Sequence, residues 1–383
     1  MNFFVFLRDN ARWLAGGFLL TFFSSFGQTF FIALSAGQIR GEFDLSHGEF
    51  GTLYMAATLA SALTLPRLGR IVDRIPVSRV TLLSVPMLAL AAAAMAFSAS
   101  LVMLFLAIYA LRLFGQGMMT HIAMTAMGKW YAAQRGRAVS VSGIGVNFGE
   151  ALFPSAFVLI SAYAGWRNSW LMAAAALVII ALPAIYLLMA RERTPQSIAS
   201  GNGRAPAPDW LLRQVLRDPL FYLVLLGVLA PPFIGTTIFF HQVYLIELRG
   251  WNNQAFAASF AVMSAMTVTF SLVSGQLIDR FTAVRLLPVM LIPMGIACFV
   301  LAGISAQWSA FAFMALLGLS AGFSSTLFGA IWPEIYGTAH LGAIRSIIVS
   351  AMVFMSALGP GLSGFLIDID VSYPGQITAM GIY

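Results

Sequence analysis

Two ionisable side chains lie deep inside apolar segments, where they could bind a charged substrate or carry a proton. They are Arg112, in the apolar run 101–125, and Glu150, in the run 138–162. A charge within hydrocarbon is costly, so such a residue is functional by default. A guanidinium group stays charged and can hold a carboxylate through two parallel hydrogen bonds. Arg112 is therefore predicted to bind a carboxylate substrate, with Gln116 on the same helix face; the alternative is a structural bond to a nearby acid or backbone carbonyl.

Glu150 is the candidate for proton coupling. Burial in an apolar medium disfavours the charged form of a carboxyl group, so this residue can take up and release a proton during a cycle. It shares a helix face with Gly143, Asn147 and Pro154. The alternative is a fixed ion pair or hydrogen bond that holds two neighbouring helices together.

Polar side chains at helical spacing mark three further apolar segments. Side chains of this kind either line a polar cavity or form hydrogen bonds that hold membrane helices together. The sequence leaves both possibilities open, although the bulkier Gln28 and His241 favour binding. His241 lies near the end of its segment, so an outer gate or simple solvation is also possible. The candidate binding residues in these segments are Thr21, Ser25, Gln28, Thr237, His241 and Ser324.

A charged motif occurs twice in the same order, with its copies 206 residues apart (275 − 69). The same shift also relates Gly136 to Gly342 and Pro154 to Pro360. A register kept over that many positions indicates an internal duplication. The motif residues are Gly69, Asp73, Arg74 and Arg79 in the first copy, and Gly275, Asp279, Arg280 and Arg285 in the second.

Composition predicts that most of the chain lies within a membrane. Hydrophobic residues make up 60% of the chain and charged residues only 9%, whereas soluble domains carry about 25% charged residues. A bilayer-spanning helix needs about 20 apolar residues. A shorter apolar segment starts near Val371. Segments of about the full length are predicted at 13–35, 49–66, 79–99, 101–125, 138–162, 168–190, 219–245, 253–274, 285–304, 308–331 and 345–367.

The basic residues predict the orientation of these spans. With the N-terminus inside, seventeen Arg and Lys residues lie in cytoplasmic segments and three lie in the opposite loops. This asymmetry follows the positive-inside rule and accounts for the net charge of +7 without a nucleic acid partner. The single cysteine, Cys298, excludes an intrachain disulfide. We therefore expect a multi-pass protein of the cell inner membrane with a cytoplasmic N-terminus.

The spans fall into two predicted halves. Residues 1–190 form an N-terminal six-helix bundle, and residues 219–383 form a C-terminal bundle whose last helix is incomplete. Between them, residues 191–218 form a cytoplasmic linker, because the stretch 194–208 is rich in Ser, Gly, Ala and Pro. A short amphipathic helix is predicted at 209–217, with Trp210 on its apolar side.

Two six-helix halves, a central linker and a Gly-x-x-x-Asp-Arg motif in each half resemble the major facilitator superfamily over the whole chain. The resemblance implies an all-α membrane fold of twelve helices with a pseudo-twofold repeat, in which the first, fourth, seventh and tenth helices line the cavity. It also implies that Asp73 and Asp279 form a latch in the outward-open state. Each would lie near the N-terminal dipole of a helix in the other half. The alternative is that these loop charges only set the topology.

A narrower resemblance covers two loops and one helix. The segment 129–138 has Lys-Trp at its start and Arg-Gly-Arg-Ala at its end, and 336–342 has Tyr-Gly at its start and Gly at its end. Both look like the oxalate/formate antiporter and monocarboxylate porter branch. In helix four, Arg112 followed by Gly115 and Gly117 is one residue tighter than the common form of the family's pattern. The resemblance implies an organic anion as substrate.

These observations predict a secondary active transporter that works by alternating access, moves a small organic anion and is coupled to protons. The alternative is efflux of amphipathic drugs or other small solutes by proton antiport, in which case Arg112 is structural. No nucleotide-binding Gly-x-x-x-x-Gly-Lys motif is present, so ion gradients are the expected energy source. The four histidines are far apart in sequence, which predicts neither a metal site nor an enzyme. We expect no cofactor. We also expect the protein to be a monomer within the lipid bilayer.

Overall fold

The computed structural model describes the chain except residues 1–2, 70, 132–134, 192, 194–209, 282 and 338–340. The described residues form helices joined by turns, with no β-strand among them. This follows from the apolar sequence, because a segment in hydrocarbon must satisfy its backbone hydrogen bonds internally. The prediction of an all-α membrane fold is confirmed.

Length and composition of the helices agree with a multi-pass protein. Among the described residues, eight helices are long and apolar enough to cross a bilayer, or up to nine if one bent pair counts as a span. The bent pair joins Val5–Gly27 to Thr29–Phe43 at an angle of 43°. The chain divides into two compact units, Met1–Phe43 with Ala56–Gly201, and Asp44–Met55 with Asn202–Tyr383.

The first eleven α-helices precede the undescribed segment 194–209. A π-helical stretch, Leu111–Met119, connects α7 to α8, and another, Leu177–Ala181, connects α10 to α11. Short 3-10 turns, Ser25–Gly27 and Ala33–Ser35, flank α2. The helices are α1 Phe3–Ser24, α2 Thr29–Ile32, α3 Ala36–Phe43, α4 His47–Leu68, α5 Ile71–Arg74, α6 Val77–Ala96, α7 Leu101–Ala110, α8 Thr120–Trp130, α9 Arg135–Ala164, α10 Trp166–Ala176 and α11 Leu182–Met189.

Eight further helices follow that segment. Trp332, Phe221 and Tyr336 are fully buried in their core, where α13, α16, α17 and α18 supply most of the apolar side chains. The helices are α12 Leu212–Val215, α13 Pro219–Phe240, α14 Gln242–Arg249, α15 Asn253–Phe281, α16 Ala283–Gly303, α17 Trp308–Tyr336, α18 Leu341–Asp368 and α19 Tyr373–Ile382.

The helix boundaries in the two halves differ by the same 206-residue shift that relates the two copies of the sequence motif. α4, α6 and α9 begin at residues 47, 77 and 135, and α15, α16 and α18 begin at 253, 283 and 341, each 206 residues later. The ends of α8 and α17, at Trp130 and Tyr336, differ by the same shift. The internal repeat therefore extends from the motif to the helices themselves.

Residues at both ends of the predicted linker contact repeat-related helix ends. Nη1 of Arg193 donates to the Trp130 carbonyl at 2.8 Å, and its guanidinium lies 4.2 Å from the centre of the Tyr131 ring. The Trp210 backbone N–H donates to the Tyr336 carbonyl at 3.1 Å. Each end of the linker is thus fixed to the last residue of α8 or α17.

The amphipathic helix predicted at 209–217 is shorter in the structure, where α12 covers only Leu212–Val215. The start is set by Leu211, whose backbone is extended (φ −70°, ψ 147°), and a separate helix begins downstream. Asp218 has an extended backbone (φ −84°, ψ 119°) and caps α13 by accepting from the Leu220 N–H. The ring of Pro219 disfavours a helical conformation for the residue before it, so α12 cannot continue into α13.

Candidate functional site

The first predicted span is broken in its second half, and this break organises the candidate site. α1 ends at Ser24, a 3-10 turn covers Ser25–Gly27, and Gln28 adopts an extended backbone (φ −83°, ψ 153°). An interruption of this kind frees backbone groups from the helical hydrogen-bond pattern. Within a membrane these groups must find other partners in the protein.

Close packing against the fourth span explains where the break occurs. A Cβ added to Gly27 would collide with the Leu111 carbonyl oxygen and lie 2.7 Å from the Gly115 Cα. A Cβ on Gly115 would lie 2.6 Å from the Gly27 Cα. Two backbones therefore touch at a pair of glycines. The fourth span is π-helical over this same stretch, a local distortion that is frequent at functional sites.

Arg112 bonds directly to the break. Its side chain is 3% exposed, and Nη1 donates to the Gly27 carbonyl at 3.3 Å and to the Thr29 hydroxyl at 3.2 Å. One of these acceptors is the backbone carbonyl that precedes the extended residue. The structural role that the sequence left open for Arg112 is therefore present, and both of these acceptors are uncharged groups that a carboxylate could replace.

Three of the predicted site residues are brought together here. Gln28 is the extended residue itself, and the backbone nitrogen of Gln116 would lie 2.9 Å from a Cβ on Gly27. The side chains of Gln28 and Gln116 are both half-buried. Sequence reasoning missed Thr29, although this residue lies four positions after Ser25 and would share its face in a continuous helix. The Arg112 contact assigns Thr29 to the site.

Thr21 and Ser25, predicted to bind substrate, lie against α9. Thr21 donates to the carbonyls of Phe18 and Ser142. A Cβ on Gly145 would collide with the Thr21 hydroxyl, and one on Gly149 would collide with the Ser25 hydroxyl. These contacts correspond to the alternative left open for small polar residues, which is to hold membrane helices together.

Glu150 follows Gly149 on α9, the helix that packs on the broken span. Its side chain is half-buried. One turn further on, the Phe153 ring lies 4.5 Å from the Phe26 ring, centre to centre. Glu150 is thus placed near the break and stays the candidate for proton coupling.

The site residues predicted in the second half are occupied by packing contacts within the second unit. Thr237 donates to the Phe233 carbonyl at 2.6 Å, and a Cβ on Gly359 would collide with its hydroxyl. Ser324 donates to the Ser320 carbonyl at 2.8 Å and contacts the Met290 sulfur at 2.8 Å.

His241 is 3% exposed and caps the C-terminal end of α13, with its Nε2 3.1 Å from the Pro360 carbonyl oxygen. The ring also packs against His47 and Tyr373. This burial does not fit the simple solvation that the sequence allowed for His241, and it leaves an outer-gate role open.

The predicted latch stays a prediction. Gly69 is buried, and a Cβ there would lie 3.1 Å from Nε2 of His121. Arg79 and Arg285 are exposed. The remaining members lie outside the part of the chain whose side chains and surroundings the structure describes, and they are Asp73, Arg74, Gly275, Asp279 and Arg280.

In the described part of the chain, no group of three or more His, Cys, Asp or Glu side chains could hold a metal ion.

A duplicated all-α architecture with membrane-spanning helices, one of them broken beside a buried arginine, defines the class of transport proteins built from repeated helix bundles. The chain belongs to the Major Facilitator Superfamily, whose family model matches residues 17–369. It is therefore a multi-pass integral membrane protein of a transporter family, and members of this family are in general not enzymes.

Solved structures support the same fold. A bacterial homologue of the human lysosomal transporter Spinster, crystallised inward-facing and unoccupied, superposes with a TM-score of 0.69 at 20% identity, covering 97% of this chain and 90% of that one. Its occupied inward-facing form gives 0.66 at 18% identity, covering 98% and 89%. The nucleoside transporter NupG gives 0.68 at 14% identity, covering 100% and 96%. A comparison with curated proteins found no match. At these identities the likeness shows the fold alone, so the porter branch stays a prediction.

Proposed function

We propose that this protein is a secondary active transporter that works by alternating access and moves a small organic anion of the monocarboxylate type. The observation that carries the proposal is the buried Arg112 guanidinium bonded to the break in the first span. Glu150 supplies the coupled proton site on the adjoining helix. Substrate and proton thus act on neighbouring parts of the first unit.

The depth of Arg112 supports a substrate role. It lies eleven residues after Leu101, the first residue of α7, which is about 16 Å along the helix. That is roughly half of a 30 Å hydrocarbon core. Transporters commonly bind substrate near the membrane midplane, where discontinuous helices leave backbone groups available. The first span is discontinuous at Gly27–Gln28, and Arg112 binds there at about the depth of the membrane midplane.

The chemistry of the contact also fits an anion. The present acceptors of Arg112 include a carbonyl and a hydroxyl oxygen, both uncharged. A substrate carboxylate would replace them with charge-assisted hydrogen bonds, which are roughly twice as strong. Gln28 and Gln116 would then contact the rest of a small polar molecule. Arg112 would return to Gly27 and Thr29 when the substrate leaves.

The test is a thermal-shift screen of small monocarboxylic and dicarboxylic acids against the purified protein in detergent. An acid present at about 100 times its dissociation constant should stabilise the wild type by about 2.7 kcal/mol. Arg112→Ala and Arg112→Lys should lose this increment, because neither side chain presents the planar fork that holds a carboxylate. The increment is measured for each variant against its own acid-free state, since the substitutions also remove the bonds to the break.

The exposed Arg213 provides the matched control. Arg213→Ala removes the same charge and should keep the full increment. Equal stabilisation of wild type and Arg112→Ala would place the anion elsewhere and refute the assignment. Uptake of a stabilising acid into liposomes, driven by an imposed pH gradient, then tests proton coupling.

Efflux of amphipathic compounds by proton antiport is the second candidate, and the aromatic side chains at the break favour it. Phe153 lies 4.6 Å from Phe22 and 4.5 Å from Phe26, ring centre to ring centre. In this case Arg112 only stabilises the break. Amphipathic compounds would then stabilise wild type and Arg112→Ala equally, and organic acids would stabilise neither.

We also propose a topology and a domain assignment for this chain. Residues 1–190 and 219–383 form the two bundles, joined by the cytoplasmic linker 191–218. The N-terminus lies in the cytoplasm, the protein is a monomer in the cell inner membrane, and Asp73 and Asp279 latch the cytoplasmic side. The distribution of Arg and Lys supports this orientation through the positive-inside rule.

A further inference from the structure

The start of α4 is bound by a carboxylate from a distant part of the chain. Asp368, the last residue of α18, accepts from the Ser46 hydroxyl at 2.7 Å, from the His47 N–H at 3.0 Å and from the Gly48 N–H at 2.7 Å. The first N–H groups of a helix lack intrahelical partners and form the positive end of its dipole. Asp368 therefore places a negative charge where α4 best accepts one.

Asp368 adds to a cap that α4 already has. Ser46 accepts from the Glu49 N–H at 3.1 Å, and the Ser46 N–H donates to the Glu49 carboxylate at 2.9 Å, which completes a capping box. The helical pattern itself resumes at Phe50, whose N–H donates to the Ser46 carbonyl. The Ser46 hydroxyl thus accepts from the Glu49 N–H, whereas Asp368 accepts from the N–H groups of His47 and Gly48. The Asp368 bonds consequently tie α4 to α18.

Glycines let the backbones of α4 and α18 contact each other near this carboxylate. A Cβ on Gly51 would lie 2.6 Å from the Pro360 carbonyl oxygen, and one on Gly364 would lie 3.0 Å from the Gly48 Cα. Such surfaces have few side chains to interlock. The Asp368 bonds add directed polar contacts to this backbone contact, and Phe50 adds an aromatic contact with Phe240 on α13.

Two further observations distinguish this contact from ordinary helix capping. Residues Asp44–Met55 belong to the second compact unit, although α4 continues to Leu68 and its residues from Ala56 onward belong to the first. The residue that the internal repeat relates to Asp368 is Ala162 (368 − 206), which has no carboxylate. The duplicated architecture by itself therefore does not require the acid. The contact also lies at the opposite end of α4 from the charged motif at Gly69.

We propose that Asp368, Ser46 and the first N–H groups of α4 form a reversible clamp. The clamp is closed in the conformation described here, and it opens when the ends of α4 and α18 separate during the transport cycle. This inference rests on the alternating access of the proposed function, and not on the identity of the substrate.

Labelling of one buried cysteine tests the clamp. The background carries Cys298→Ala, and Phe50→Cys is the reporter, because Phe50 is 1% exposed and packs 5.1 Å from the Phe240 ring. The rate of modification by a water-soluble maleimide is measured in lipid nanodiscs, without substrate or pH gradient. Asp368→Asn removes the charge and should raise the rate about fivefold, which corresponds to a loss of about 1 kcal/mol.

Asp370→Asn is the matched control, because Asp370 is an exposed acid two residues away and asparagine tolerates its left-handed backbone (φ 62°). The control should label at the parent rate. The difference between the two variants should shrink in 1 M salt, since Asp368 itself is exposed and salt screens its charge. Equal rates for Asp368→Asn and Asp370→Asn would overturn the clamp.

A second variant protects the test against a folding defect. Ser46→Ala removes one donor to Asp368 and should raise the rate in the same direction by a smaller factor. If Asp368→Asn does not fold, an unchanged rate for Ser46→Ala overturns the proposal. A raised rate together with no organic-acid binding would retain the clamp and refute the proposed substrate, so the two failures are distinguishable.

Discussion

Replacement of Gly27 by alanine tests the broken first span most directly. The added methyl group would collide with the Leu111 carbonyl oxygen, lie 2.7 Å from the Gly115 Cα and lie 2.9 Å from the Gln116 nitrogen. All three neighbours are backbone atoms, which cannot rotate away as a side chain can. The first and fourth spans would have to move apart, and Arg112 would lose or lengthen its bond to the Gly27 carbonyl.

The expected loss of stability follows from these two effects. Overpacking typically costs about 1–3 kcal/mol. A hydrogen bond from a charged donor contributes about 1.5–3 kcal/mol, part of which Arg112 recovers through Thr29. Gly27→Ala should therefore lower the free energy of unfolding by about 4 kcal/mol. The measurement is unfolding by sodium dodecyl sulfate in mixed micelles, followed by the loss of helical circular dichroism.

Gly41 supplies the control, because it lies in α3 with no atom within 4 Å of an added Cβ. Gly41→Ala should be neutral or stabilising by up to about 1 kcal/mol, since alanine favours helices. If Gly27→Ala unfolds at the same detergent fraction as Gly41→Ala, the backbone contact with the fourth span is wrong. The assignment of Arg112 to a helix break would then be wrong as well.

Two further predictions concern protons. Glu150→Gln keeps the shape of the side chain and removes its titration, so exchange of substrate across liposomes should continue while accumulation driven by a pH gradient is lost; gradient-driven accumulation in this variant would exclude Glu150 as the coupling site. Burial raises the pKa of Tyr131 to about 12, and the charge of Arg193 opposes this shift. Because the folded pKa lies above the ordinary value near 10, the neutral ring stabilises the fold below pH 10, and this contribution is lost as the pH rises through 12. Tyr131→Phe should abolish that part of the alkaline loss of stability, and an unchanged alkaline transition would contradict it.

The polar stripes show what sequence periodicity can predict and what it cannot. Spacing predicts that Thr21, Ser25 and Gln28 share one helix face, but it does not say what that face contacts. In the structure Thr21 and Ser25 lie against glycines of α9, while Gln28 lies at the break. Ser324 shows the same limit in the second unit, since its hydroxyl contacts Met290. A hydroxyl bonds equally well to a backbone or to a substrate, so its neighbour decides its role.

Arg112 shows the opposite case, in which the sequence identifies the residue and the structure supplies its partners. A lone cation in an apolar run must be satisfied, and this alone marks it as important. Its acceptors, Gly27 and Thr29, are more than eighty residues away in the chain. No local pattern relates them, because the break in the first span results from packing against the fourth. The pairing of Arg112 with Thr29 was missed for this reason.

The amino-acid sequence by itself determines the membrane-spanning helices, their duplication and the buried ionisable residues. These depend on composition and periodicity, which act along the chain: apolar runs partition into lipid, and a copied gene segment keeps its register. The tertiary structure alone decides the break at Gly27, the helix contacts of the small polar residues and the Asp368 bonds to α4. Each depends on backbone atoms that approach one another from distant segments, and the distance of that approach is set by packing in three dimensions.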